Sequence, residues 1–278
     1  MSNMLGLEGK VAFITGAARG QGRSHAVRLA RDGADILAVD ICADTPSIDY
    51  PNATWAELDE TAQLVEAEGR KVVALKADVR DLAGLQKAFD EGMSSLGRVD
   101  IVLANAGIVR LGDGGDPAAV WSDIIATNLT GAWNTVSVAL PTLRSGGAGG
   151  CIVITSSTAG LRASPGSGVG QVAYTAAKTG LVGLMKQLAV TLAPESIRVN
   201  SVHPTGVKSG MTMNEAMMTL AIQAAEGGDN SISAMQNAMP IDILEPEDIS
   251  DAVAFVVSDQ AKWITGVALP VDAGFCVR

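Results

Sequence analysis

A short apolar run, Val11-Ala12-Phe13-Ile14, stops at Thr15-Gly16-Ala17-Ala18-Arg19-Gly20-Gln21-Gly22, and residues 24–31 then have helical composition. Strand, glycine turn and helix in this order confine the chain to few architectures. Glycines let a backbone turn tightly and approach a pyrophosphate, whose charge then sits at the positive end of the helix. The next strand, Asp35 through Asp40, ends in a carboxylate about 20 residues beyond the turn, where a dinucleotide fold needs an acceptor for ribose hydroxyls. Asp40, with Ile41 after it, also selects between cofactors, because a carboxylate accepts from a free 2′-hydroxyl and repels a 2′-phosphate. Arg19 is the competing signal, a cation able to hold that phosphate. A like-charge contact in a closed site is costly, so Asp40 carries more weight and NAD is the expected cofactor.

Residues 41–54 exceed the usual two to six residues of a βα connection. Asp44, Pro46, Asp49, Pro51 and Asn52 break any regular pattern there. Such an insertion lies beside the adenosine half of the nucleotide, either as a cover or as a tolerated surface loop. Residues 55–68 read as helix and 71–77 as strand, with Asp78-Val79 as its polar end. Asp78 either hydrogen-bonds the adenine amine or starts the next turn. Residues 81–95 are amphipathic, with Leu82, Leu85, Ala88 and Phe89 on one face, and a buried strand at 99–104 follows. Asn105-Ala106-Gly107 closes that strand, as a plain turn or as a device in which the amide ties neighbouring strands and Gly107 lets the chain pass close to the cofactor. Residues 121–142 read as one helical stretch containing Asn128, either a backbone-kinking water holder or a surface amide.

A strand at 151–155 leads to Ser156-Ser157-Thr158-Ala159-Gly160, a Gly/Pro/Ser-rich loop at 162–170, and a helix bearing Tyr174-Thr175-Ala176-Ala177-Lys178. Positions four apart share a helix face, so the Tyr174 hydroxyl and the Lys178 ammonium can meet. A free tyrosine, with a pKa of roughly 10, is a poor base, but a nearby cation favours its phenolate. Such a tyrosine can take or return an alcohol proton while a serine holds the substrate oxygen. The plainer alternative has Tyr174 packing, Lys178 pointing to water and the serine capping a strand end. Alternation of strands and helices predicts a Rossmann-type α/β fold, a doubly wound parallel sheet that binds ligands at its strand carboxyl ends. The glycine turn, Asp40, Asn105 and Ser157 all fall on that edge.

A chain of 278 residues with 47% hydrophobic content suits one such domain spanning residues 1–278. Its formal charge of −10 argues against a nucleic-acid partner. Cys42, Cys151 and Cys276 are scattered and only two histidines accompany them, so no metal site is expected and reduced thiols in the cytoplasm are. No stretch reaches the roughly 18 uninterrupted apolar residues of a membrane span.

Thr15-Gly16-x-x-x-Gly20-x-Gly22, Asn105-Ala106-Gly107, Asn128, Ser157 and Tyr174-x-x-x-Lys178, in this order, resemble the short-chain dehydrogenase/reductase family over nearly the whole chain. The resemblance implies that Ser157 orients the substrate oxygen, Tyr174 is the acid/base, Lys178 lowers its pKa and contacts the nicotinamide ribose, and Asn128 holds a proton-relay water. Ser157 is preferred to Ser156 because Ser157-Thr158-Ala159-Gly160 matches the family's S-x-x-G pattern, although serine and tyrosine stand farther apart here than is usual. The implied cofactor-binding residues are Gly16, Arg19, Gly20, Gln21, Gly22, Asp40, Ile41, Asp78, Val79, Asn105, Ala106, Gly107, Tyr174, Lys178 and Pro204, with the Val207 backbone and the Ser209 hydroxyl facing the nicotinamide amide. Thr205 stands where the family commonly has glycine. Met211, Met213, Met217, Met218, Met235 and Met239 populate the segment where the family places its substrate lid, about 207–240; core packing is the competing reason for such a cluster. Residues 247–257 read as helix and 265–272 as a last strand, with Pro270 favouring an edge.

Ala17 through His25, Val39-Asp40-Ile41-Cys42 and the Pro46/Tyr50/Pro51 insertion further resemble the mycofactocin-associated actinobacterial branch, which includes carveol dehydrogenases. That likeness implies NAD held under the insertion, electrons passed to a redox peptide and an apolar cyclic secondary alcohol or ketone as substrate; the wider family resemblance implies a homotetramer. The alternative function is nucleotide sensing or scaffolding without turnover.

Overall fold

The computed structural model describes residues 5–110, 112, 114–163, 168–215, 218–219 and 236–278. Seven parallel strands form one sheet in the order β3-β2-β1-β4-β5-β6-β7. They are β1 (Val11–Thr15), β2 (Asp35–Asp40), β3 (Val72–Lys76), β4 (Ile101–Ala104), β5 (Gly150–Thr155), β6 (Ile197–Pro204) and β7 (Ala268–Val271). Successive strand residues face opposite sides, so Ala12 and Ile14 enter one apolar layer while Val11 and Phe13 enter the other. Helices α1 (Gly20–Arg31) and α2 (Trp55–Ala67) cover the first layer, and α3 (Leu82–Leu96) covers part of the second. There Phe89 meets Phe13 edge-on, with ring centroids 5.2 Å apart. Pro270 lies on edge strand β7, as the sequence indicates. No helix among the described residues is long and apolar enough to cross a membrane.

The strand order reverses between β1 and β4, which opens a crevice at their carboxyl ends. Two local departures from the periodic pattern shape that crevice. Helix α2 starts at Trp55 through a capping box between Thr54 and Glu57, which ends the insertion sharply. The stretch expected as one helix over 121–142 is three pieces: α4 (Pro117–Ile125), a π-helical turn (Ala126–Thr130) and α5 (Gly131–Ser145). Asn128 sits in the π turn with no exposure at all, so it is not a surface amide. Its Oδ1 accepts from Ile108 N–H and its Nδ2 donates to the Ile108 carbonyl, both at 2.8 Å. β3 ends at Lys76, which leaves Asp78 and Val79 in the loop beyond it rather than on the strand.

Helix α6 (Val169–Leu192) carries Tyr174 and Lys178 on the second layer. Helix α7 (Pro246–Val257) packs on α1, and a polar contact is sealed between them. His25 of α1 is buried, its Nδ1 lies 2.8 Å from Ser250 Oγ, and its Nε2 has no partner. Burial pushes the imidazole from an ordinary 6.5 down to about 3. Between those two pH values the unfolded chain binds a proton that the folded chain refuses, so stability falls as pH drops through the window and is untouched by this group above it. The slope approaches about 1.4 kcal/mol per pH unit. Urea titrations from about pH 7 to about pH 5 are expected to show a smaller acid-side loss for His25→Gln than for the wild type.

Candidate active site

The cradle after β1 is built by close approach. Gly16 and Gly20 adopt left-handed φ values of +68° and +55°. Gly22 does not, yet a Cβ there would lie 1.9 Å from the Gly16 carbonyl oxygen, and one on Gly16 would lie 2.8 Å from Ala106 Cα. Side chains are thus excluded where the turn, α1 and the 105–107 segment converge. Arg19, at the N-cap of α1, makes no capping bond through its side chain, so the first N–H groups of the helix stay open to an anion. Gln21 Oε1 is buried without a partner beside the same cleft. Together these residues fit the pyrophosphate of a dinucleotide.

Asp40, at the end of β2, accepts from Ala18 N–H at 3.0 Å and Cys42 N–H at 3.2 Å. Burial pushes its pKa up, and those N–H groups and Arg19 oppose the rise. The Arg19 guanidinium is engaged elsewhere: Nη2 donates to the Pro51 carbonyl at 2.6 Å and Nη1 lies 3.5 Å from Glu57 Oε1. The competing cation therefore belongs to the insertion and the start of α2. Asp78 and Val79 line the cleft. Burial disfavours the Asp78 carboxylate, but its fork with Arg80 prevails and holds the carboxyl below the usual range. Val79 offers its carbonyl to Asn134 Nδ2 at 2.8 Å.

The insertion is no loose surface loop. Asp44 accepts from Asn52 N–H, and Asn52 Nδ2 donates to the Ala43 carbonyl and Thr45 Oγ1, which closes the loop on itself. It also reaches past the adenosine end. Ser47 donates to Asp123 at 2.6 Å, Arg110 donates to the Ser47 carbonyl at 3.0 Å, and the Tyr50 hydroxyl accepts from Val109 N–H at 3.2 Å. Tyr50 packs against the same apolar cluster as Tyr174, around Ile108, Val120 and Ala173.

At the other end of the cleft, Asn105 Nδ2 donates to the Thr15 carbonyl at 3.1 Å and its Oδ1 accepts from Thr155 Oγ1 at 3.2 Å, which ties β1, β4 and β5. Gly107 leaves room: a Cβ there would sit 3.2 Å from Asn128 Oδ1 and 3.5 Å from Lys178 Nζ. Lys178 does not point to water. It is 3% exposed, its Nζ donates to the Thr155 carbonyl at 2.8 Å, and it stands 5.4 Å from the Tyr174 ring centroid. Burial alone lowers its pKa to about 8. The Tyr174 hydroxyl is pushed up by burial, opposed by a hydrogen bond with the Ser157 side chain. In this state the cation beside Tyr174 does not bring its pKa below the ordinary value. Both serines line the cleft, but their hydroxyls differ: Ser156 Oγ is spent on the Lys178 carbonyl at 2.9 Å, while the Ser157 hydroxyl is the one that acts on Tyr174. A Cβ on Gly160 would lie 2.6 Å from the Lys178 carbonyl oxygen, which accounts for the glycine of the S-x-x-G pattern.

Pro204, Val207 and Ser209 line the cleft beyond β6. Thr212 Oγ1 bonds both the Val207 carbonyl and Ser209 N–H, a staple that no sequence signal announced. Thr205 needs no glycine, since it is absent from the left-handed residues; its hydroxyl donates to Asn237 Oδ1 at 3.0 Å. Met211 lines the cleft, and Met213, Met218 and Met239 are exposed, so core packing does not explain them; Met217 and Met235 lie outside the described residues. Residues missed from sequence are Thr155 and Thr212, and Tyr50 was named only as part of the insertion, with no role in the site. The role of Thr155 rests on its carbonyl, which every residue type possesses, whereas Tyr50, an aromatic in a polar insertion, was a readable signal.

A dinucleotide-binding α/β fold with a proton-transfer group at the switch point is what these distances describe. The pattern of the short chain dehydrogenase family matches residues 10–219. The chain is 48% identical to (-)-trans-carveol dehydrogenase of Rhodococcus erythropolis over 282 residues, spanning 99% of this chain and 100% of that protein. It is 51% identical to an uncharacterized oxidoreductase of Mycobacterium tuberculosis, over 97% of each chain. Among solved structures, the carveol dehydrogenase of Mycobacterium avium in complex with NAD superposes with a TM-score of 0.89 at 46% identity, covering 98% of this chain and 99% of that one. A short chain dehydrogenase of Mycobacterium paratuberculosis bound to NAD gives a TM-score of 0.91 at 43% identity, with the same coverage. The chain belongs to the short-chain dehydrogenase family.

The cradle geometry sets a direct test. Gly22→Ala drives a methyl group against the Gly16 carbonyl, so a stability loss of about 1–3 kcal/mol is expected together with lost dinucleotide affinity. Thermal melts and tryptophan-fluorescence titration read the two effects separately.

Proposed function

We propose that this chain is an NAD-dependent dehydrogenase that interconverts a secondary alcohol and its ketone, with Tyr174 as the acid/base. Its main support is the junction at which Ser157 and Tyr174 line one cleft while Lys178 is anchored one helical turn away, beside a cradle that fits a dinucleotide. NAD, when bound, supplies the hydride acceptor for the alcohol carbon, or the donor in the reverse direction. Ser157 holds the substrate oxygen, and Tyr174 takes the hydroxyl proton during oxidation and returns it during reduction. Lys178 contacts the nicotinamide ribose and offers positive charge to the phenolate. Asn128 fixes the Ile108 segment and holds the relay water at the π turn. Asp40 receives the ribose hydroxyls, and Arg19, held by Pro51, leaves the 2′ position to it. The sensing or scaffolding alternative is not retained, because the family and its similar members are oxidoreductases.

The substrate we infer is apolar and cyclic, of the carveol type. Met211 in the cleft suits such a body, and the R. erythropolis relative acts on carveol by name. The insertion folds over the cofactor, and a redox peptide takes the electrons in place of cofactor exchange. A cytoplasmic homotetramer completes the reading; exposed Trp121, Trp133, Val172 and Val190 on α4, α5 and α6 supply apolar surface for assembly.

Two measurements test this. Tyr174→Phe removes the proton-transfer group and is expected to abolish turnover while leaving dinucleotide binding intact; unimpaired turnover with secondary alcohols would sink the assignment. Denaturing the purified protein is expected to release NAD at close to one per chain, identified by chromatography. An empty site that exchanges NAD freely would instead leave an ordinary dehydrogenase.

A further inference from the structure

Ser157 is held from behind by a residue that never reaches the cleft. β5 and β6 pair up to Ser156, whose N–H donates to the Val202 carbonyl at 2.9 Å. Pro204 follows on β6 and has no N–H, so the ladder cannot continue past this point. In its place the side chain of His203, which has no exposed surface, puts Nδ1 2.8 Å from the Ser157 carbonyl oxygen. A carbonyl only accepts, so Nδ1 carries the proton and Nε2 is bare. Nε2 then accepts from Ser201 Oγ, also at 2.8 Å and also fully buried. The tautomer and the ring orientation are both fixed by these two partners.

We propose that His203, clamped by Ser201, is a positioning residue that sets where the Ser157 hydroxyl stands relative to Tyr174. The Ser157 carbonyl is separated from the hydroxyl-bearing Cβ only by Cα, so fixing that carbonyl restricts where the hydroxyl can stand in the cleft it shares with Tyr174. The other ties on Ser157, Gly160 N–H to its carbonyl at 2.9 Å and Ala159 N–H to its Oγ at 3.2 Å, lie within the same short turn and do not anchor it to the sheet, which among the described residues His203 alone does. Burial keeps the imidazole below its usual pKa, with the Ser157 bond opposing and the Lys178 charge adding to the depression, so the ring stays neutral where the enzyme would be assayed. The titratable groups around the Tyr174 hydroxyl are Lys178 on its own helix, Tyr50 from the insertion and His203 behind Ser157.

The inference rests on Ser157 and Tyr174 carrying the chemistry, and the experiment separates the two. His203→Leu removes the donor at similar bulk, and His203→Asn keeps an N–H close to the Nδ1 position. For His203→Leu, kcat for alcohol oxidation is expected to fall roughly 10- to 100-fold with KM and dinucleotide affinity nearly unchanged. Its kcat-against-pH curve is expected to rise only at higher pH than the wild type, because the Ser157 bond that favours Tyr174 ionisation is displaced. His203→Asn is expected to restore most of both. Should His203→Leu not fold, Ser201→Ala, which frees the ring without removing it, is expected to shift the pH curve in the same direction by less. Unchanged kcat and pH curve in a folded His203→Leu or Ser201→Ala protein, or no rescue by Asn, overturns the positioning role. If Tyr174→Phe also keeps full turnover, the functional reading itself has failed; if it does not, only the role of His203 has.

Discussion

A buried ammonium bonded to a strand-end carbonyl is the contact on which the rest of the site depends. Taking a lysine out of water is costly, and the fall of Lys178 to about 8 records that cost. Its bond to the Thr155 carbonyl pins α6 to the last residue of β5. Ser156 adds a second rivet from its hydroxyl to the Lys178 carbonyl, and Gly160 lets the turn lie flat on the helix. With helix and strand locked at these points, Tyr174 stands one turn before Lys178 and Ser157 two residues after Thr155. Their meeting is then a consequence of backbone geometry, not of two flexible side chains finding each other.

The insertion is governed by a second set of contacts, which run the length of the cleft. At one end Arg19 holds the Pro51 carbonyl; at the other Val109 N–H meets the Tyr50 hydroxyl. Between them Ser47, Asp123, Arg80 and Asp78 form a continuous polar chain. A loop with fastenings at both ends is coupled to the cradle and to the acid/base region together. Its displacement would disturb Arg19 and the segment after Gly107 at once.

Much of this was legible from residue identities because it is local. The glycine turn, Asp40 at a strand end, and Tyr174 with Lys178 four apart are patterns whose geometry follows from the helix and strand repeats. The break at Asn128 was readable only as one of two alternatives, and its π form was not, since a 3.6-residue repeat fits apolar residues on both sides of it and hides the extra residue between them. Which serine faces the cleft was readable only from the spacing to Gly160, and its physical reason, the capture of Ser156 by a helix carbonyl, requires the fold. The insertion was placed beside the adenosine half because it leaves β2 there. Its reach to Val109 depends on contacts 59 residues apart in sequence, which no local pattern encodes.

Desolvation acts on Tyr174 and Lys178 in opposite senses, raising the phenol and lowering the ammonium. The two therefore move apart in acidity, and the ammonium gives up its proton before the phenol does. Above about 8 the ammonium loses its proton, and with it the charge that the phenolate would draw on. Raising the pH to deprotonate Tyr174 thus removes part of its electrostatic support. A hydrogen bond from a neutral hydroxyl does not fade in this way. Ser157 is the group whose bond opposes the effect of burial on Tyr174, so its placement to within a few tenths of an ångström governs how readily the tyrosine can act as a base. The sheet supplies that placement through the Ser156 rung to β6 and the strand-end carbonyls, which links the order of the strands to the chemistry at their ends.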